Sequence, residues 1–175
     1  TANIKALLGC PDAPAEFAFV CFLPAEIPTQ AVATSVAIGP DGAAYVSELK
    51  GFPGPLGESR VWRIKPGTLH AECGTDPGCE VVADGFTSIV DLAFGPDGTL
   101  YVTEIDESSF AALELGGAGT GGTVNACAWG SFPLACSEVA TGLPMPIATT
   151  VGGDGTLHVA IWSLVPGLAE VVPLP

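Results

Sequence analysis

The side chains here whose types and spacing suggest chemistry are carboxylates. Glu48 and Glu104 close two similar segments, Tyr45-Val46-Ser47-Glu48 and Tyr101-Val102-Thr103-Glu104, with Asp106 and Glu107 just beyond the second and Asp91 ahead of it. Hard oxygen ligands suit Ca²⁺. If Glu48, Asp91, Glu104 and Asp106 converged, they would form a divalent-cation site able to assist hydrolysis. The plainer reading of Glu48 and Glu104 is a strand end or a loop-stabilising hydrogen bond. Asp41, Asp97 and Asp154 recur more regularly still, each inside a Gly-x-Asp-Gly turn whose chemistry accounts for them. His70 and His158 are the two histidines. His158 stands where the other copies of its segment carry Tyr45 and Tyr101, which reads as a packed strand residue. A hydrolytic role would need a nucleophile and an orienting acid beside it. The sequence has no G-x-S-x-G elbow, P-loop, dinucleotide-binding glycine fingerprint or H-E-x-x-H helix. The glycine-rich stretch 116–122 reads as a flexible loop between strands. Trp62, Trp129 and Trp162, with Phe52 and Phe110 in loops, read as filling between blades, with a binding surface for a sugar or aromatic as the alternative.

These residues are positioned by a repeat. Ala37-Ile38-Gly39-Pro40-Asp41-Gly42-Ala43-Ala44-Tyr45-Val46 recurs around Gly95 and Gly152, 56 and 57 residues further along in turn. Self-similarity at that period marks a repeat architecture. Gly-Pro-Asp-Gly between apolar runs is a tight turn: Pro presets φ, Asp suits the next corner, and the last Gly accepts the left-handed conformation. A third strand follows at Val61-Trp62-Arg63-Ile64 and Thr123-Val124-Asn125-Ala126, and a fourth at Glu80-Val81-Val82-Ala83 and Glu138-Val139-Ala140. Helical periodicity is absent. The expected fold is all-β, with β-propeller blades of four antiparallel strands in three repeats, half of a six-bladed ring.

The cysteines keep the same period. Cys21, Cys79 and Cys136 precede the turn glycines by 18, 16 and 16 residues. The repeat therefore selects Cys10–Cys21, Cys73–Cys79 and Cys127–Cys136 from the possible connectivities, each clipping the third and fourth strands. No pair has CxxC spacing and histidine is scarce, which argues against zinc. Three disulfides imply a secreted, extracellular or periplasmic location. Thr1 opens in polar sequence, as a mature chain does after losing a signal peptide, although an engineered boundary would look the same.

The chain reads as one domain, 1–175, with repeats around 1–49, 50–106 and 107–162 and a closing strand in 163–175. It opens mid-unit, Asn3-Ile4-Lys5 and Cys21-Phe22-Leu23 reading as third and fourth strands. Three repeats do not close a ring. The expectation is a homodimer of half-propellers, with the missing half of a longer polypeptide as the other possibility.

Charge narrows the partners. Formal net charge is −14, with 19 acidic residues, and all five Lys and Arg fall in the first 65 residues. That leaves no basic stripe for nucleic acid or an anionic membrane. No apolar run reaches the roughly 18–20 residues that span a bilayer. With 48% hydrophobic residues the chain is built to fold, unlike a disordered acidic tail.

The segment Ser35–Gly42, continuing through Tyr45-Val46-Ser47-Glu48-Leu49, Gly51-Phe52-Pro53 and Arg60-Val61-Trp62-Arg63-Ile64, resembles the bacterial ScyD/ScyE family, named from clusters that make the pigment scytonemin. Leu92–Ile105 follows the same pattern. The resemblance implies a six-bladed propeller related to the NHL and gluconolactonase-like folds, in chains about twice this length. Lactonase-type relatives hold a divalent cation at the channel mouth with Glu, Asp and Asn. Two functions follow as expectations: a non-catalytic binding or scaffold module for a small-molecule or protein ligand, and a Ca²⁺-assisted hydrolase or lactonase. The sequence does not settle whether the protein is an enzyme.

Overall fold

The computed structural model describes residues 2–3, 5, 10–12, 15–114 and 119–174. Two four-stranded antiparallel sheets follow one another along the chain: β3 (Ala31–Ile38), β4 (Ala44–Lys50), β5 (Ser59–Ile64) and β6 (Cys79–Phe86), then β7 (Ile89–Phe94), β8 (Leu100–Glu104), β9 (Gly122–Ala128) and β10 (Ala135–Leu143). A three-stranded sheet follows, of β11 (Ala148–Val151), β12 (Leu157–Ile161) and β13 (Glu170–Pro173). Strands pair in chain order, so each sheet is a meander, and the anticipated third and fourth strands fall within β5, β6, β9 and β10. The first sheet spans the repeat boundary drawn at 49/50, and the second spans the one drawn at 106/107.

The turns form as their residues dictate. In each copy the first glycine's amide bonds back across the turn, at 2.9, 2.8 and 2.8 Å, and Gly42, Gly98 and Gly155 take φ of 76°, 87° and 86°. Asp41, Asp97 and Asp154 each accept the amide two residues on, at 3.1, 3.0 and 3.0 Å. Those bonds hold the Asp97 and Asp154 carboxyls below the ordinary carboxylate range. The leading glycine has a second cause: a Cβ at Gly39 would run into the Tyr45 ring.

The sheets stack face to face. Tyr45, Val61 and Val82 of the first sheet are buried against Leu92, Leu100 and Val102 of the second. Val124 of the second, with Tyr101 at the margin, meets Leu157, Val159 and Ile161 of the third. Both faces of the middle sheet are thus covered, which is why its strands carry few charges. Tyr45, Phe94, Trp129 and Phe132 form an aromatic chain between the first two sheets, with ring centroids 5.0–6.1 Å apart, so Trp129 fills space as expected. The leading strands β3, β7 and β11 lie side by side, the arrangement of strands that line a propeller axis.

The three expected disulfides are present. Cys127 and Cys136 face each other across β9 and β10, while Cys73 ties the β5–β6 connection to the first residue of β6. The N-terminal segment departs from expectation. Ala2–Asn3 (β1) pairs with Glu26–Ile27 (β2), and Ala15–Phe22 is a 3-10 helix, so Cys21-Phe22-Leu23 is not a fourth strand and Cys10–Cys21 does not clip two strands. Ile4 lies outside the described residues. The physical reason is local: the run from Ala15 to Phe22 lacks the polar–apolar alternation of a half-buried strand. A second correction is α1 (Phe110–Glu114), a short helix that begins at Phe110 where a loop was expected. No helix among the described residues is long and apolar enough to cross a membrane.

Candidate functional site

Glu48 and Glu104 occupy equivalent places near the end of β4 and at the end of β8, and both are buried, at 6% and 7% exposure. Each carboxylate is met by a donor from the same place in its sheet. Trp62 stands opposite Val46 and its indole N–H donates to Glu48; Asn125 stands opposite Val102 and its Nδ2 donates to Glu104 at 2.7 Å. The second oxygen of Glu48 takes the Lys50 ammonium, and that of Glu104 takes the Thr87 amide. The repeated acids are therefore sheet-end hydrogen-bond acceptors, and Trp62 has a partner that its reading as blade filler did not anticipate.

Asp106 is 1% exposed and staples the β8–β9 connection. It accepts the Ser108 amide and hydroxyl on one side and, on the other, the amides of Thr120 at 3.3 Å and Gly121 at 3.0 Å. This anchors the described end of the glycine-rich stretch; residues 116–118 lie outside the described residues. Asp91, half-buried on β7, accepts the Ser35 hydroxyl of β3 and the Thr149 amide of β11, both at 2.7 Å. One carboxylate thus ties the leading strands of all three sheets. Thr103 and Thr149 add a hydroxyl–hydroxyl bond between the second and third sheets. Neither threonine was singled out in the sequence; the available signal was that Ser35 and Asp91 share a repeat position, four residues before their turn glycines.

The four acids do not make one cluster: among the described residues no three His, Cys, Asp or Glu side chains come together as metal ligands would. Glu104 instead borders a cavity of about 370 Å³ lined by Asp84, Thr87, Glu107, Asn125 and Glu138. Burial pushes the Glu104 carboxyl above its ordinary value, against the bonds from Thr87 and Asn125, and the charges of Glu107 and Glu138 push the same way. A carboxyl shifted upward in this way is better placed than an ordinary one to donate a proton. His70 is exposed in the β5–β6 connection, and His158 on β12 shares Nδ1 with the Thr156 carbonyl at 3.1 Å, so neither histidine lines that cavity. Trp162 is partly exposed beside Met145 and Pro144 in a cleft that Asp106 also borders.

No protein-family model matches the chain, and no curated protein matches it. Among solved structures it is similar to a protein described provisionally as a gluconolactonase, at 17% identity and a TM-score of 0.50, over 80% of this chain and 43% of that one. It is also similar to a glucose dehydrogenase, at 16% identity and a TM-score of 0.45, over 73% and 40% of the two chains. The chain spans less than half the length of either. The first likeness gives a propeller-type fold and no more.

Proposed function

We propose that this chain is a propeller-type binding or scaffold module of an oxidising compartment, secreted or periplasmic, and that it is not itself catalytic. The observation that supports this reading is the occupancy of the candidate acids. Glu48, Asp91, Glu104 and Asp106 each spend both oxygens on donors of the chain itself. Hard-cation sites instead leave several carboxylate oxygens free to converge. The three disulfides support the compartment. The ring is completed by further blades, from a second copy or from the rest of a longer polypeptide, and the acidic surface favours neutral or cationic ligands.

A Ca²⁺-assisted lactonase is the second reading, favoured by one observation: buried Glu104, with its raised carboxyl, borders a cavity lined by further acids. Hydrolysis of glucono-lactone measured with and without Ca²⁺, beside calorimetric titration of Ca²⁺, separates the two. The binding-module reading expects no turnover above buffer and no saturable heat. Turnover that disappears in Glu104→Gln and Asp106→Asn would replace it with the lactonase.

A further inference from the structure

We infer that the two outer faces of the stack are the two halves of one blade–blade seam, and that a second copy of this chain docks on them head to tail. The inference rests on the propeller reading above and adds which surface meets which. Along β4, Tyr45 is buried toward the second sheet. Its equivalent Tyr101 turns the same way, toward the third. The next equivalent, His158, shares the outer face of the third sheet with Ala160, because Leu157, Val159 and Ile161 are the residues buried against the second sheet. At the other end, Leu92 and Phe94 of the second sheet receive Tyr45. Their equivalents in the first sheet, Val36 and Ile38, are 64% and 66% exposed. One end of the molecule therefore presents the surface that Tyr45 and Tyr101 offer within the stack, and the opposite end presents the surface that receives it.

The match extends to chemistry. Tyr45 meets Phe94 edge-on at 5.0 Å; the same relation carried forward sets His158 against the second copy's Ile38. Thr103 bonds Thr149; carried forward, Ala160 meets the second copy's Val36, an apolar pair in place of a polar one. Arg60 stands opposite Glu48, on the face that includes Val46, and the approaching end carries no cation to repel it, since residues 66–175 lack Lys and Arg. Two non-identical faces make a heterologous interface, which closes only if the rotation per copy divides a full turn; three sheets of a six-bladed ring supply half a turn.

Light scattering on a sizing column should give twice the 17.6 kDa chain mass. Ile38→Asp and Ala160→Asp should each give monomer, with a circular dichroism spectrum like the parent's, because Ile38 is exposed and the half-buried Ala160 lies on the side of its sheet away from the core. Mixing the two variants should restore a heterodimer through the one intact seam, dissociating more readily than the parent. A monomeric parent, species that keep growing with concentration, or a dimer unmoved by either substitution would overturn the inference. So would mixed variants that stay monomeric, the behaviour of a face that pairs with itself. None of these outcomes bears on lactone turnover, so the module reading stands or falls separately.

Discussion

Removing the Asp91 carboxylate should loosen all three sheets at once. In Asp91→Ala the Ser35 hydroxyl loses its acceptor and the Thr149 amide, on a residue 7% exposed, loses a 2.7 Å bond with no solvent to replace it. A hydrogen bond to a charged group contributes about 1.5–3 kcal/mol, and a buried donor left unmet costs about 1–3. With one site buried and the other half-open, a total loss of about 2–4 kcal/mol follows. For a chain of this size that is a fall in Tm of roughly 5–15 °C. Asp91→Asn separates bonding from charge. Its Oδ1 still accepts the Thr149 amide, and its amide donates to Ser35 Oγ once that hydroxyl rotates, so the loss should stay near 1 kcal/mol. Urea unfolding followed by tryptophan fluorescence, in EDTA and in excess Ca²⁺, measures both. Equal losses in the two variants, or an alanine variant within about 0.5 kcal/mol of the parent, would refute the clamp. A Ca²⁺-dependent difference between parent and Asn variant would instead make Asp91 a ligand.

Glu104→Gln should change the pH dependence of stability. A carboxyl raised in the folded state stabilises the fold below its unfolded value, 4.5, and loses that contribution as pH rises through the folded value. The variant's stability relative to the parent should therefore climb with pH above 4.5, and a flat difference in chemical unfolding from pH 4 to 8 would contradict it. Gly39→Ala should cost about 1–3 kcal/mol because its Cβ meets the Tyr45 ring. Gly152→Ala should cost less, since its Cβ would press only on the Asp154 carboxylate, at 2.8 Å, with the His158 ring 3.7 Å away. Replacing Cys127 and Cys136 by Ser opens a bridge spanning 9 residues and should cost about 2–3 kcal/mol in thermal unfolding.

What was legible in the sequence was what the repeat enforces. The turn glycines, the strands around them and the cysteine pairing all follow from local rules applied at one period, and the structure has them where the period places them. The candidate site was legible only as positions. Glu48 and Glu104 were identified as equivalent, but their donors, Trp62 and Asn125, come from a neighbouring strand and differ chemically between copies, so nothing in the sequence tied them together. Asp91 read as a possible ligand because its partners are 56 and 58 residues away, and the repeat position it shares with Ser35 does not say that the two side chains meet across separate sheets. The N-terminal strands were misread where the repeat no longer constrains the chain: from Ala15 to Phe22 local preference decides, and it favours a helix.

The placement of the cations has a consequence for degradation. Trypsin-like proteases cut after Lys and Arg and pass over bonds followed by proline, which removes Lys65-Pro66. The remaining targets are Lys5, Lys50 at the end of β4, and Arg60 and Arg63 inside β5. Even a fully opened chain would thus be trimmed only to residue 64, and the second and third sheets would persist as one uncut piece, invisible to this class of enzyme whether folded or not.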